Sequence, residues 1–303
     1  MTGLTAGRFL KAAGWSVLLL DKGRSFGGRM ATRRIGTSRL DYGAQFFTVR
    51  DARFANSVRD WESAGWVKPW FEQDGHVRYR ATDGMNALAE HLAQPLEVRR
   101  ETKVEIVEAK DDGWLIVTES GESLSAGTLL LTPPAPQSAD LLAGCAERLP
   151  PDIFAVLGSI HYDPCFSLLV TIDGPGKVPP PGYVRPASGP VDWIADNTRK
   201  GVSAGGAALT VHASAEFSCK YFEAPKDDVV RLLLEAIEPW LGEQVISSQL
   251  HRWKYSHPVA ADRPLYLFSP HPAHLLIAGD GFGGPRLEGA FLSGLAAAGR
   301  IAE

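Results

Sequence analysis

The stretch that most limits how this chain can fold is its first, MTGLTAGRFLKAAGWSVLLLDKG. Leu4–Ala13 is rich in small and helix-favouring residues and reads as a helix ended by Gly14. Trp15–Leu20 is a short apolar run, read as a strand, and Asp21 closes it. Helix, glycine, strand and acid make the second half of a β-α-β unit. The first strand and the early glycines of a G-x-G-x-x-G turn are missing, and Gly3 stands where the last of those glycines would be. A helix N-terminus offers unpaired N–H groups and partial positive charge, so it suits a pyrophosphate. The small residues Gly3, Ala6 and Gly7 let such a helix pack closely on a sheet. Asp21 lies 18 residues after Gly3, where a carboxylate can take hydrogen bonds from a ribose. An ordinary α/β helix with a capping Asp would look similar, so the rest of the chain must decide.

At 303 residues the chain can bury a large core and has room for two domains. A net charge of −4 gives no electrostatic case for nucleic acid or an anionic membrane. No apolar run approaches the roughly 20 residues that cross a bilayer, and the N-terminus lacks the charged-then-apolar pattern of a secretory signal. The three cysteines, Cys145, Cys165 and Cys219, are scattered and form no C-x-x-C. That usage fits buried thiols in a reducing cytoplasm.

Beginning and end share one character, and the middle has another. After the opening come a Gly- and Arg-rich loop (23–48), a helix at Arg53–Ala64, the aromatic segment WVKPWF and a helix at Gly84–Ala93. A strand-rich stretch with DDG and ESG turns then runs to a proline break at Pro133, Pro134 and Pro136. The middle holds the strands CFSLLVTID, GGAALTVHAS and SSQLHRWKYS, a proline-rich loop, and a helix at Lys226–Leu241 with a clear apolar face. The close is a buried strand, a glycine loop and a small-residue helix, HLLIAGDGFGGPRLEGAFLSGLAAAGRIAE. The expected architecture is therefore α/β. A discontinuous Rossmann-like domain (1–48, 84–136 and 271–303) carries an inserted α+β substrate domain of mixed or antiparallel sheet (49–83 and 137–270).

Three further elements carry chemistry. In GRSFGGRMATRR, Gly27 and Gly28 allow close backbone approach, and Arg29 offers a forked donor suited to a diphosphate. In LDYGAQFFT, small Gly43 and Ala44 stand beside aromatics, as wanted where backbone passes a flat ring, although Phe46 and Phe47 also suit a plain core. In AGDGFGGPRLEGAFLSG, Asp280 can hold a sugar or ribityl hydroxyl. The N–H groups of Gly289 and Ala290 can face developing negative charge. His271 and His274 lie near one another in HPAH, but no third ligand is evident and no metal site is expected. There is no G-x-S-x-G.

Together, DKGRSFGGRMATRR, LDYGAQFFT, TPPAPQ, HRWKYSHP and AGDGFGGPRLEGAFLSG resemble the renalase-like branch of the FAD-dependent amine oxidase superfamily, over nearly the whole chain. The resemblance implies the two-domain fold of p-hydroxybenzoate hydroxylase and the amine oxidases, and FAD held without a covalent bond. It implies that Gly3 is the surviving diphosphate glycine, that Asp21 binds the adenosine ribose with Lys22 beside it, and that Gly28, Arg29 and Met30 line the diphosphate and ring. It puts Gly43, Ala44, Gln45 and Phe46 along the flavin's reactive side, Val104 on the adenine by its backbone, and Asp280 on the ribityl chain. Glu288, Gly289 and Ala290 would open the helix under the pyrimidine edge. Relatives begin with a strand and GAG ahead of the MTGLTAG position, so the natural chain is expected to start upstream of Met1.

For activity, the resemblance implies an oxidase for the 2- and 6-dihydro isomers of NAD(P), with O2 as acceptor and H2O2 as product. A dihydropyridine already carries a transferable hydride, so stacking it over flavin N5 supplies most of the catalysis and no general base is required. Gln45, Trp253 and Tyr255 are the pocket candidates. Trp253 and Tyr255 alternate on one strand and so share a face. An amine substrate is the second expectation. The third is a crippled, non-catalytic flavoprotein: an empty central strand position leaves backbone groups unpaired at about 1–3 kcal/mol each when buried, against a total stability of about 5–15 kcal/mol.

Overall fold

The computed structural model describes residues 1–259 and 262–303. Helix α1 (Thr2–Ala12) opens the chain. The apolar run after it gives only a three-residue strand, β1 (Leu18–Leu20), because the Trp15 N–H donates to the Leu10 carbonyl and keeps Trp15 wound against the end of α1. β1 pairs in parallel with β6 (Glu97–Arg99). A second parallel pair joins β10 (Thr128–Leu131) to β17 (His274–Ala278), with β16 (Tyr266–Ser269) antiparallel on the far side of β17. Among the described residues no ladder connects these two pieces. α1 lies over the junction between them. A Cβ on Gly3 would sit 3.4 Å from the Thr132 hydroxyl, just after β10, and 3.8 Å from Leu19 of β1.

The last helix, α9 (Leu287–Ala302), packs along α1. Thr2 Oγ1 donates to the Ala290 carbonyl at 2.9 Å, and a Cβ on Gly294 would come within 2.4 Å of the Thr2 carbonyl. Only glycine lets the two backbones approach this closely. Ala6 and Leu10 meet Ala297, Ala298 and Ile301 over Leu276 and Ala278 of the sheet. One domain is thus closed by the two ends of the sequence.

The hairpin β2 (Thr32–Ile35) and β3 (Ser38–Asp41) follows the glycine-arginine loop. Helix α2 (Ala52–Ser63), the hairpin β4 (Val67–Gln73) and β5 (His76–Ala81), and α3 (Met85–Ala93) share a core with Leu4, Met30, Phe47 and Phe291. Asp51 caps α2 by accepting the Arg53 N–H at 2.8 Å. The meander β7 (Val104–Ala109), β8 (Trp114–Thr118) and β9 (Ser123–Ala126) packs against α4 (Ala135–Leu142), α5 (Pro151–Gly158) and the β10–β17 pair, around the buried Trp114. Residues 135–160 therefore share their core with the parallel sheet, and the passage into the middle of the chain comes at the next strand.

That strand, β11 (Tyr162–Ile172), is central to an antiparallel sheet ordered β12 (Tyr183–Val184), β13 (Val191–Asp196), β14 (Ala208–Ala213), β11, β15 (Val245–Pro258). β11 is buried continuously from Phe166 to Ile172. An apolar run without alternation is expected of a strand covered on both faces. α7 (Lys226–Leu241) covers one face through Val229, Leu233 and Ile237, at i, i+4 and i+8, with α6 (Ala215–Tyr221) beside it. The β2–β3 hairpin covers the other, placing Leu40 against Leu169 and Ala208. The short helix α8 (Asp280–Gly283) turns the chain from β17 into α9. Among the described residues no helix is long and apolar enough to cross a membrane.

Candidate cofactor and substrate site

The site gathers where α1, α9, the glycine-arginine loop and the large sheet meet. Gly27 and Gly28 take φ of +103° and +54°, and residues 28–30 form one tight turn. The turn sends Met30 into the core and Arg29 outward. The Arg29 guanidinium holds Asp280 with two bonds of 2.5 and 2.7 Å. It also donates to the carbonyls of Tyr255 (3.4 Å) and Ser256 (3.3 Å), and lies 5.8 Å from the Tyr162 ring centre. Burial, and then the Asp280 charge, raise the Tyr162 pKa. Asp280 is delivered by the end of β17, where the Gly279 N–H donates to Ser293 of α9 at 2.8 Å.

The loop around Asp280 and the start of α9 are pressed together. A Cβ on Gly289 would lie 2.3 and 2.4 Å from the carbonyl oxygens of Gly283 and Gly284. At the helix start, the Ala290 N–H donates to Arg286, so of the two N–H groups expected to face a ring only that of Gly289 stays free among the described residues. Glu288 is also turned to another task. Its buried Oε1 accepts the N–H groups of Arg50 and Asp51, both at 2.7 Å, and so ties α9 to the entry of α2.

At the other end, α1 has no side-chain cap, and the N–H groups of Thr2, Gly3 and Leu4 have no partner within the helix. The Met1 amine feels Arg29, Asp21 and Asp280 together, and burial pulls it down to about 6. Asp21, at the end of β1, uses Oδ1 to accept the Gly23 N–H at 2.8 Å. Its backbone carbonyl accepts from Thr102, which leads into Val104, the first residue of β7. Lys22 is exposed beside it.

A strap, residues 42–46, runs from β3 past Arg29. A Cβ on Gly43 would fall 1.9 Å from the Arg29 carbonyl oxygen, and the Ala44 N–H donates to that same oxygen at 2.8 Å. Tyr42 faces the large sheet. Its ring stacks on Trp253 (5.4 Å, 25°), and its carbonyl accepts the Trp253 indole N–H at 2.9 Å and faces His212 Nε2 at 3.3 Å. Burial drives His212 down to about 4, so the ring is neutral. His251 packs 4.2 Å from Trp253, and Tyr255 meets Tyr162 at 5.8 Å. Phe46 turns away from Arg29 into a wall of rings with Phe71 and Trp193. Gln45 is buried and braces the strap: its amide donates to the carbonyls of Asp41 (2.6 Å) and Gly43 (3.2 Å).

Direct contacts bring Arg29, Gly43, Ala44, Tyr255 and Asp280 to one place, with Gly289 against the turn after Asp280 and Trp253 on Tyr42 of the strap, while Gly3 lies over Thr132 and Leu19, Glu288 is held by Arg50 and Asp51, Met30 is in the core and Lys22 is exposed. Sequence reasoning missed Tyr42, Asp41, Tyr162, His212 and Lys200. Asp41 and Tyr42 stand inside LDYGAQFFT, where an acid two residues before a glycine was the available signal. Lys200, in NTRKG, gave none.

Residues 62–302 match the family model described as flavin containing amine oxidoreductase, and residues 1–60 match that of the NAD(P)-binding Rossmann-like domain. The chain is 24% identical to renalase of Mus musculus over 301 residues, covering 91% of this chain and 88% of that protein. Among solved structures, a redesigned putrescine oxidase superposes with a TM-score of 0.70 at 13% identity, covering 99% of this chain and 96% of the other. The cyclohexylamine oxidase of Brevibacterium oxydans IH-35A superposes with a TM-score of 0.68 at 12% identity and the same coverage.

Proposed function

The chain belongs to the family of flavin containing amine oxidoreductases, and from that premise we propose that it oxidises the 2- or 6-dihydro isomers of NAD(P) to NAD(P)+, with O2 reduced to H2O2. It is an FAD-dependent oxidoreductase acting on a small molecule.

The cradle suits FAD. Arg29 brings a guanidinium to the cradle, where its fork is paired with Asp280 and its charge lies beside the proposed diphosphate position. The uncapped start of α1 supplies free N–H groups for the phosphates. Asp21 Oδ2 has no partner among the described residues and is available to a ribose. Gly43 and Gly289 let the strap close on the Arg29 carbonyl and α9 close on the Gly283 and Gly284 carbonyls, which shapes the cradle. We assign the cofactor contacts to Gly3, Asp21, Gly28, Arg29, Gly43, Ala44, Val104, Asp280 and Gly289, with no covalent link. Held by these residues, FAD would supply a hydride acceptor and a route for the electrons to O2.

The observation that carries the substrate reading is the wall beside the strap. It is aromatic, carries no carboxylate, and has one imidazole of its own, His251, packed edge-on against Trp253. Tyr42, Trp253, His251, Tyr255 and Tyr162 form it, and His212 is neutral and spent on the Tyr42 carbonyl. Such a wall orients a flat ring and excludes water without removing a proton. A dihydropyridine needs no more, because its hydride leaves with its electron pair and the ring becomes aromatic. The similarity to renalase, over 91% of this chain, supports the same reading. The three unpaired thiols support a cytoplasmic setting.

Putrescine and cyclohexylamine oxidases share the fold, so an amine is the rival substrate. The test is anaerobic. The flavin band of the purified protein should bleach with 2- or 6-dihydro-NAD(P) and stay oxidised with primary amines or polyamines. Bleaching by an amine alone would reverse the assignment.

A further inference from the structure

Asp41 and Lys200 are 0% and 1% exposed, and Lys200 Nζ lies 2.7 Å from Asp41 Oδ2. Asp41 ends β3, while Lys200 sits on the loop between β13 and β14, so the pair crosses from the cofactor domain to the inserted sheet. Among the described residues it is the only ion pair with both side chains fully buried. Dehydrating two charges offsets most of their attraction, so such a pair is a poor source of net stability and calls for another role.

Its connections show where that role lies. Asp41 Oδ1 accepts from Thr32 Oγ1 (2.6 Å) and the Met85 N–H (2.8 Å). The Asp41 N–H donates to Asn197 at 3.1 Å, and the Asp41 carbonyl accepts from Gln45 (2.6 Å) and Thr210 (2.7 Å). Lys200 reaches on to Gln45 Oε1 at 3.5 Å and lies 5.0 Å from the Trp70 ring centre. Every bond fixes the residue just before the strap or the glutamine inside it. A fully satisfied buried network of this kind specifies one backbone conformation.

We propose that Lys200 is a positioning residue for the strap. Paired with Asp41 and bonded to Gln45, it holds residues 42–46 in the bend that presses Gly43 and Ala44 onto Arg29, and so sets where the flavin ring lies. This rests on the reading that the strap passes the flavin. Lys200 acts through other residues and is not placed against the substrate.

The test uses the whole chain and reads FAD binding and the visible circular dichroism of bound FAD. K200M alone would strand the Asp41 charge, so the deciding variant is the double D41N/K200M, which leaves no buried ion. L233A removes core volume under α7, far from the strap, and controls for plain loss of stability. A44V tests the strap directly. We expect D41N/K200M to weaken FAD binding by about tenfold and to alter the flavin signal, while L233A lowers the melting temperature with flavin affinity and signal unchanged. If D41N/K200M matches the wild type, or if L233A reproduces its effects, Lys200 has no positioning role. If in that case A44V still shifts the flavin signal, the strap reading survives. If A44V is also silent, both fall. Turnover of dihydronicotinamides is not a readout here, so the substrate assignment stands or falls separately.

Discussion

Arg29 and Asp280 are joined by two hydrogen bonds of 2.5 and 2.7 Å, although 251 positions separate them in the chain. The bond ties the glycine-arginine loop to the turn before α9, so the first and last segments of the cofactor domain share one charge pair. The same guanidinium reaches the Tyr255 and Ser256 carbonyls on β15. It therefore also registers the inserted sheet against the cradle.

Arg29→Lys tests this. Lysine keeps the charge but loses the planar fork, and it cannot chelate a carboxylate while facing two carbonyls. FAD should bind about tenfold more weakly, read by titrating the apoprotein with FAD. Unchanged affinity would mean that Arg29 serves only the domain junction.

Two glycines of α9 should respond in opposite directions. Gly289→Ala drives a methyl to within 2.3 and 2.4 Å of two backbone carbonyls. It should cost about 2–4 kcal/mol and lower flavin content. Gly299→Ala meets nothing within 4 Å. In a helix interior it should stabilise by about 0.5–1 kcal/mol. Thermal melts of both variants, each with its flavin-to-protein ratio, decide the matter.

His212 gives the chain a pH dependence of definite sign. Its folded pKa of about 4 lies below the ordinary 6.5, chiefly because burial penalises the charged ring. Between those values the unfolded chain takes up a proton that the folded chain refuses. Stability should therefore fall as pH drops from about 6.5 towards about 4, and this group should contribute no slope above 6.5. His212→Asn should flatten that slope in melts recorded above and inside the window. An unchanged slope would assign the acid sensitivity elsewhere.

Trp253 and Tyr255 share a strand but should behave differently. Trp253→Phe keeps a ring on Tyr42 but loses the 2.9 Å bond to the Tyr42 carbonyl. The expected cost is about 0.5–1.5 kcal/mol of stability. Tyr255→Ala should slow anaerobic flavin bleaching about tenfold while FAD affinity holds. A rate equal to wild type would remove Tyr255 from the substrate wall.

Much of the architecture could be read along the chain. The helix at Lys226–Leu241 appears with those same bounds, because its apolar period is long and uninterrupted. The strands of the middle segment and the glycine-rich turns were legible for similar reasons, since alternation, apolar runs and glycine are local signals. The strand after Gly14 was shorter than its apolarity suggested, because one backbone bond to Leu10 held Trp15 on the helix.

The site divides along the same line. Gly43, Gly289, Arg29, Asp21 and Asp280 were all visible along the chain as residue types in a pattern. The partner of each buried polar group was not. Glu288 was committed to Arg50 and Asp51, Ala290 to Arg286, and Gln45 to Asp41, and each choice depended on which segments were folded against it. Lys200 marks the limit. A lysine in a polar loop carries no local sign that it will be buried. Its charge found a partner only because folding brought the end of β3 beneath that loop, 159 positions away in the chain.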